Sequence, residues 1–335
     1  MQKLQKTYNK FLGKMAYVSD KLHQNKIASK ILKTLKNYAR IILSFMVVAW
    51  IVITITFLLI HSLPGSAITG NLDDQQRHLL EIKYGLDKSL FSQYWIFIGN
   101  LFKGDLGTSI TVDAGTPITD FLWKKMAVSF KIGAIALLLG VSVGILLGIV
   151  IGIKPGGWAD NLGTIFISLG IAIPSFVAAL LLVLFGKEIG IPFIYDRHNM
   201  LSILLPAIAM AVTTVIVYMR YIRVEFSEQF SSQHYKFMKA RGVGKMRFIF
   251  RHALKPALFP VVSYLPGALL GTFVGSMFVE GIFGIPGSGG LMLDAINSKD
   301  YNIVQALVVL YTGMTVISFI LRDIMYRLLD PRVRG

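Results

Sequence analysis

Residues 219–260 read MRYIRVEFSEQFSSQHYKFMKARGVGKMRFIFRHALKPALFP, a polar and basic stretch between two apolar runs at 201–219 and 261–279. Each run is close to the roughly 20 residues that a helix needs to cross a bilayer. A polar segment between two such runs predicts a loop on one side of a membrane. The loop has structure of its own, because Ser231 or Ser232 can cap a helix that continues through Arg241, and Gly242 fits its left-handed end.

Composition places the whole chain in the class that these two runs indicate. Of its 335 residues, 54% are hydrophobic and only 16% are charged, more apolar side chain than a soluble core buries without large exposed patches. We therefore predict an all-α membrane protein with six transmembrane helices. The predicted spans are 41–60, 129–153, 162–185, 201–219, 261–279 and 302–321. Pro174 is expected to kink the third span.

The distribution of positive charge predicts the orientation of these spans. The net charge is +16, and 24 of the 34 Lys and Arg residues fall in the N-terminal tail, the 154–160 loop, the 220–258 loop and the C-terminal tail. Short loops rich in Lys and Arg stay in the cytoplasm, so both termini and the central loop are predicted to be cytoplasmic. The charge thus indicates topology and not a nucleic-acid partner.

Five segments follow from the predicted spans. They are a basic cytoplasmic segment at 1–40, the first transmembrane helix at 41–60, an extracellular region at 61–127, a membrane core at 128–326 that contains the loop 220–260, and a cytoplasmic tail at 327–335. The first segment fits either a helix lying on membrane lipid or a disordered tail. In the extracellular region a helix is expected over 72–84, and the region serves either an external partner, gating or a structural cap.

Two spans carry glycine at every fourth position. The second span has Gly140, Gly144, Gly148 and Gly152, and the fifth has Gly267, Gly271 and Gly275. This spacing places small residues on one helix face, which lets another helix approach closely. We expect both faces to serve helix packing, and a pore lining is the alternative for the second span.

Several kinds of chemistry are excluded by what the sequence lacks. The chain has no cysteine, and its six histidines show no metal-ligand spacing. The phosphate-binding pattern G-x-x-x-x-G-K-[ST] is absent, so no catalytic residue, cofactor or metal site is assigned. The centres of the predicted spans lack ionisable residues, which argues against a proton-coupled carrier. If ATP drives the protein, a separate chain must hydrolyse it.

Four motifs, in this order along the chain, are similar to those of one family. They are GDLGTS at 104–109; KARG at 239–242 with RHAL at 251–254 and Pro260; EGIFGIPGSG at 280–289 followed by Asp300 and Tyr301; and Asp323, Tyr326 and DPR at 330–332. Through them the chain resembles the permease subunits of ABC importers, in particular the B-type membrane subunit of the oligopeptide, dipeptide and nickel group.

The resemblance implies half of a type I ABC importer transmembrane domain, in the plasma membrane of a bacterium, that carries peptides and is not itself an enzyme. Its implied partners are a second homologous permease subunit, two cytoplasmic ATPase subunits and an extracellular substrate-binding lipoprotein. The implied ATPase-coupling residues are His234, Tyr235, Lys239, Ala240, Arg241, Gly242, Arg251 and His252.

Alternatives remain for the cargo and for the class of protein. Nickel, glutathione or a metal chelate would suit the same family. A secondary transporter is a rival from another class, but it would need intramembrane carboxylates or inverted repeats, and the sequence shows neither. The remaining alternative is a membrane scaffold whose loop binds a soluble partner without transport.

Overall fold

The structure, a computed structural model, describes residues 39–62, Gln75, His78 and 88–329. The chain divides into two compact units, Met1–Ile51 and Val52–Gly335. In the first unit the described residues, 39–51, belong to helix α1. The predicted surface helix before residue 39 and the DPR motif at 330–332 lie outside the described residues, as does the predicted helix at 72–84 apart from two of its positions.

Helices account for most of the described chain. They are α1 (Ala39–Ser62), α2 (Leu90–Phe102), α3 (Ile118–Gly152), α4 (Trp158–Ala172), α5 (Ser175–Glu188), α6 (Leu204–Ser231), α7 (Gln233–Ala240), α8 (Lys245–Phe248), α9 (Leu254–Val274), α10 (Met277–Phe283), α11 (Ser288–Asn297) and α12 (Tyr301–Leu329). A 3-10 turn at Met200–Ile203 leads into α6, and a π-helical turn at Ile249–Ala253 joins α8 to α9.

Five helical stretches of the described chain are long and apolar enough to cross a membrane, and a bent pair makes a sixth if it is counted as one span. The five are Ala39–Ser62, Ile118–Gly152, Met200–Ser231, Lys245–Val274 and Tyr301–Tyr326. Each contains most or all of one predicted span, so the all-α membrane architecture is confirmed. The helices extend beyond the predicted ends because backbone hydrogen bonding continues outside the apolar run; α3 begins before the boundary placed between residues 127 and 128.

The third predicted span, 162–185, is bent at Pro174 as predicted, but the bend is a break between two helices and not a kink within one. α4 ends at Ala172, α5 begins at Ser175, and the two helices are bent by 100° relative to each other. Ile173 between them is extended, with φ −84° and ψ 117°, as expected for a residue that precedes proline. Because Pro174 has no N–H to continue the hydrogen bonds of α4, the helix breaks there.

The fifth predicted span, 261–279, is displaced along the chain. Its helical path runs from Lys245 to Val274 and ends where Gly275 adopts φ +69°, a conformation that favours glycine. Residues 277–279 belong to α10 instead. The external segment EGIFGIPGSGG is also more regular than a loop, since it contains most of α10 and the beginning of α11.

α3 and α6 pack against each other through the glycine face of α3. Gly140, Gly144, Gly148 and Gly152 are all buried. A Cβ atom added at Gly144 would lie 2.8 Å from the carbonyl oxygen of Val215, and one at Gly148 would lie 2.7 Å from Cβ of Ile222. Such contacts are shorter than van der Waals packing allows, so only glycine permits this separation of the two helices.

The glycines of the fifth span do not form the close helix contact that their spacing predicts. A Cβ at Gly267 would meet only Cβ of Ser318, at 3.6 Å, and one at Gly271 would meet nothing within 4 Å. Gly275 instead ends α9 with its positive φ. The spacing places these residues on one side of α9, where α12 approaches Gly267 only to ordinary contact distance and leaves room for a side chain.

Candidate functional site

The central loop is a short capped helix between two long ones. α6 continues through 220–231, so the loop is shorter than the predicted 220–260. Ser232 is both the C-cap of α6 and the N-cap of α7, where its Oγ accepts a hydrogen bond from the N–H of Tyr235 at 3.2 Å. After α7, Gly242 adopts φ +80°. The helix therefore lies where the capping signals predict it, one residue after α6.

A cluster of aromatic rings fixes the inner side of α7. Phe248 at the end of α8 is fully buried, and its ring centroid lies 4.7 Å from that of Tyr235 and 5.3 Å from that of Phe230. The ring of His234 lies 5.9 Å from Phe248 and 5.5 Å from His252. Aromatic pairs at such distances and tilted angles are favourable. Two of the predicted coupling residues, Tyr235 and His252, are thus half-buried supports.

The outer side of this region is basic and apolar at once. The other predicted coupling residues, His234, Lys239, Ala240, Arg241, Gly242 and Arg251, are exposed. Phe237, Met246 and Phe250 are 61%, 64% and 64% exposed, and the guanidinium of Arg241 lies 5.7 Å from the ring centroid of Phe237. Large exposed apolar side chains beside charged ones are typical of protein–protein contact sites.

The sequence did not single out these three apolar residues. For Phe237 a signal existed, because it follows Tyr235 by two positions, which on a helix is a rotation of about 200°. The side that packs Tyr235 inward therefore turns Phe237 outward. For Met246 and Phe250 there was no comparable signal, since their exposure depends on how α8 and the π-helical turn meet the rest of the fold.

A cavity of about 470 Å³ lies between α6, α9 and α12. Its lining combines apolar side chains with hydroxyl groups, among them those of Thr213, Thr315 and Ser318. Gly267 and Gly271 lie in the wall contributed by α9, and the absence of side chains there keeps the space open. The sequence did not reveal this cavity, because a space between three helices has no local pattern.

The end of the cavity that the charge distribution assigns to the cytoplasm is aromatic and carries one charge. The rings of Tyr221 and Tyr264 stack with centroids 5.3 Å apart. The guanidinium of Arg322 lies 4.8 Å from the ring of Phe319 and 5.8 Å from that of Tyr264. Arg322 is the one charged residue that lines the cavity. The cavity lining is therefore uncharged along its walls and carries one guanidinium at this end, where Asp323 forms an ion pair with it at 3.9 Å.

On the opposite side of the membrane, the carboxylate of Asp300 holds the segment that follows GDLG. Asp300 is fully buried. Its Oδ2 accepts hydrogen bonds from Oγ of Ser109 at 2.7 Å and from the N–H groups of Ile110 at 2.8 Å, Thr111 at 2.9 Å and Val112 at 3.2 Å. The residue also stands at the beginning of α12, so it joins this external segment to a helix of the cavity wall.

A second buried carboxyl explains the glycines of the EGIFGIPGSGG segment. Glu280 is 1% exposed, and its Oε2 accepts a hydrogen bond from the N–H of Gly290 at 2.9 Å. A side chain at Gly275 or Gly287 would collide with its oxygens. Burial raises the pKa of Glu280, although hydrogen bonds from backbone N–H groups and from Ser129 oppose the shift. The segment is thus folded around this group.

Comparisons with a family model and with individual relatives agree on one family. Residues 144–335, which include the loop, the cavity and both buried carboxyls, match the family described as "Binding-protein-dependent transport system inner membrane component". The "Dipeptide transport system permease protein" of Lactococcus lactis subsp. cremoris is 30% identical over 287 residues, which are 85% of this chain and 94% of that protein. The "Oligopeptide transport system permease protein" of Salmonella typhimurium is 33% identical over 291 residues, with coverage of 85% and 94%.

Among solved structures, the MetNI methionine ABC transporter in an inward facing conformation has a chain that is similar to 65% of this one. The aligned part is 98% of that chain, with 16% sequence identity and a TM-score of 0.45. The sequence relatives align with far more of this chain, at about twice the identity. On the family match over more than half of its length, this chain belongs to the inner membrane components of binding-protein-dependent transport systems, the ABC importer permeases that its four motifs resemble.

Proposed function

We propose that this chain is the membrane-spanning permease subunit of an ATP-driven importer of peptides, and that the cavity between α6, α9 and α12 is its half of the transport path. Peptide as cargo is supported by relatives that are named for dipeptide and oligopeptide transport. A second homologous permease subunit supplies the other half of the path. An extracellular substrate-binding lipoprotein delivers the peptide.

In this proposal α7 is the element that docks on one of two cytoplasmic ATPase subunits. Its exposed side presents Phe237 beside Arg241 and Lys239, a combination suited to an acidic groove with an apolar floor. The contact between Phe248 and Tyr235 on the inner side holds α7 in position when the ATPase pushes on it. Because the sequence has no phosphate-binding loop, ATP hydrolysis belongs to the docked partner.

The connection between α6 and α7 is the observation that carries the proposal. α6 contributes Thr213 and Tyr221 to the cavity wall, and the same helix ends at Ser231, separated from α7 by Ser232 alone. A movement imposed on α7 by the ATPase therefore reaches the cavity wall without passing through a flexible linker. This geometry can couple ATP hydrolysis in the ATPase subunit to opening and closing of the cavity in the permease.

Two variants test docking without touching the cavity. Gly242→Asp places a side chain at φ +80°, and Arg251→Glu reverses an exposed charge. We expect both to insert into the membrane normally but to lose the ATPase subunits during purification through a tag on this chain. Peptide uptake by cells should fall at least about tenfold, which corresponds to ~1.4 kcal/mol of docking energy.

Lys154→Glu is the matched control, because it reverses an exposed charge in another loop of the same predicted side. It should retain both the ATPase and peptide uptake. Normal co-purification of the ATPase with Gly242→Asp and Arg251→Glu would contradict docking through α7. Cells that lack the gene test the cargo: loss of labelled peptide uptake supports the proposal, whereas loss of nickel uptake alone would replace peptide by metal.

A further inference from the structure

We propose that Arg322, with the rings of Phe319 and Tyr264, forms a subsite in the cavity that binds the free carboxylate of a peptide. The inference rests on the proposed function, because it takes peptide as the cargo. It adds the chemical feature of the cargo that the path itself recognises. For an ordinary peptide this feature is the C-terminal carboxylate.

The charge distribution in the cavity is the first argument. Arg322 is the only charged residue in the lining, and the other lining residues are apolar, glycine or hydroxyl-bearing. A peptide without charged side chains carries one positive and one negative end, and the half of the path that this chain contributes has a charged lining residue only for the negative end. Arginine also matches a carboxylate geometrically, since it can donate two parallel hydrogen bonds.

The guanidinium is held in position while its donors stay available. Phe319 and Tyr264 contact it at 4.8 Å and 5.8 Å from their ring centroids, an interaction with ring faces that uses the charge and not the N–H groups. Oδ1 of Asp323 forms an ion pair with Nε at 3.9 Å, a separation too long for a hydrogen bond, so this pair leaves the N–H donors unused. Within the described part of the chain no atom accepts a hydrogen bond from Arg322. Its N–H groups therefore remain free for a ligand.

The simpler explanation is that Arg322 anchors the end of α12 at the lipid headgroups, as basic residues near the ends of spans commonly do. The position of the side chain argues against this, because Arg322 lines the cavity together with Ser318 and Tyr264. Arg220 fits the anchor description better. It is exposed near the same predicted side and does not line the cavity.

The absence of cysteine from the chain allows a direct binding test. Ser318 lines the cavity one helical turn before Arg322, so Ser318→Cys introduces a single reporter thiol in this chain. In the importer complex reconstituted into vesicles, reaction of this thiol with a maleimide is measured at increasing concentrations of a neutral tripeptide. The same tripeptide with an amidated C-terminus is measured in parallel.

We expect the free tripeptide to protect the thiol at a concentration at least about tenfold lower than its amide does, a difference of ~1.4 kcal/mol that one charge-assisted hydrogen-bonded pair can supply. Adding Arg322→Gln should abolish this difference, and Arg322→Lys should restore part of it because the charge is kept and the fork is lost. Arg220→Gln is the matched control and should leave the difference unchanged. The same substrate-binding protein is used with every variant, so its own preference for one of the two peptides cannot cause a difference between variants.

The outcomes distinguish the subsite from the proposed function. Peptide uptake combined with equal protection by both peptides, or with no protection, overturns the subsite and leaves peptide transport standing. Persistence of the tenfold difference in Arg322→Gln also overturns the subsite. If the complex takes up no peptide at all, the proposed function fails, and the subsite fails with it.

Discussion

The carboxylate of Asp300 joins two segments that are 191 positions apart in the sequence. Three of its four donors to Oδ2 are backbone N–H groups, of Ile110, Thr111 and Val112. These amides have no helix or strand to pair with, so the carboxylate takes the place of a backbone acceptor. Hydrogen bonds to an ionised group are about twice as strong as neutral ones, which makes this residue the main support of the external segment.

Replacement of this carboxylate should loosen the segment that it holds. In Asp300→Asn the side chain keeps its size but loses its charge, so we expect amide hydrogen exchange at 110–112 to become about 10–100-fold faster, in line with ~1.5–3 kcal/mol for bonds to a charged acceptor. Hydrogen-exchange mass spectrometry of the purified complex measures this. Asp113→Asn changes an exposed carboxyl in the same segment and should have no effect. Equal exchange in the two variants would show that the carboxylate does not hold the segment.

At the residue scale, local signals were predictable and distant ones were not. The sequence predicts the cap at Ser231 or Ser232 and the left-handed end at Gly242, because a cap and a left-handed end depend only on the next few residues. Asp300 was noticed only as part of a motif. Nothing in its neighbours indicates that its partners lie at 109–112, since that pairing exists only after the helices have assembled. The role of Arg322 depends on tertiary packing in the same way.

At the scale of elements, α3 and α6 form a pair whose spacing is set by glycine. The contact extends from Gly140 to Gly152, and along it the side chains and carbonyl groups of α6 occupy the space that α3 leaves free. Such close approach increases dispersion contact between helices in lipid, where no hydrophobic effect drives them together. The pair is therefore expected to move as one body.

A single methyl group should be enough to disturb this pair. In Gly144→Ala the new Cβ would lie 2.8 Å from the carbonyl oxygen of Val215 and 3.0 Å from Cβ of Tyr218, so we expect a loss of about 1–3 kcal/mol from overpacking. A lower yield and a lower unfolding temperature of the purified protein would report it. Gly313→Ala in α12 is the control, since a Cβ there meets nothing within 4 Å. If both variants behave like the wild type, close packing at Gly144 is not required.

Hydropathy located the transmembrane elements well, but it could not define their ends or their partners. The ends depend on particular backbone features, such as Pro174 before α5 and Gly275 after α9. The equal spacing of glycines in the second and fifth spans illustrates the other limit. Spacing indicates which residues share a helix face. Whether another helix covers that face or the face borders a cavity, as it does at Gly271, depends on the tertiary packing around it.

At the scale of the whole molecule, composition and charge were sufficient for the class, whereas the family depended on the ordered motifs. The apolar content and the runs of about 20 residues predict a multi-pass membrane protein, and the ordered motifs predicted the family that the comparisons confirm. The cavity could not be predicted, because it results from the way in which α6, α9 and α12 diverge. Its lining residues come from three separate stretches of sequence.

If the cavity is part of a transport path, water must reach it. We expect a charged thiol reagent to modify Gly271→Cys in the cavity wall at least about tenfold faster than Leu138→Cys in intact membranes. Leu138 is 70% exposed on α3, and a thiol there would face hydrocarbon, which disfavours the reactive thiolate. Labelling rates are compared on the otherwise cysteine-free chain. Equal rates would mean that the assembled transporter has no aqueous space at this position.

The unbroken course of α6 has a mechanical consequence. Its 28 residues give a rod of about 42 Å at 1.5 Å per residue, with α7 attached at one end and most of the length buried against α3. A tilt of this rod by about 10° moves its far end by about 7 Å for that length. Rotation of α6 about its cytoplasmic end therefore acts like a lever arm. It moves the opposite end of the helix by a distance comparable with the width of a peptide backbone.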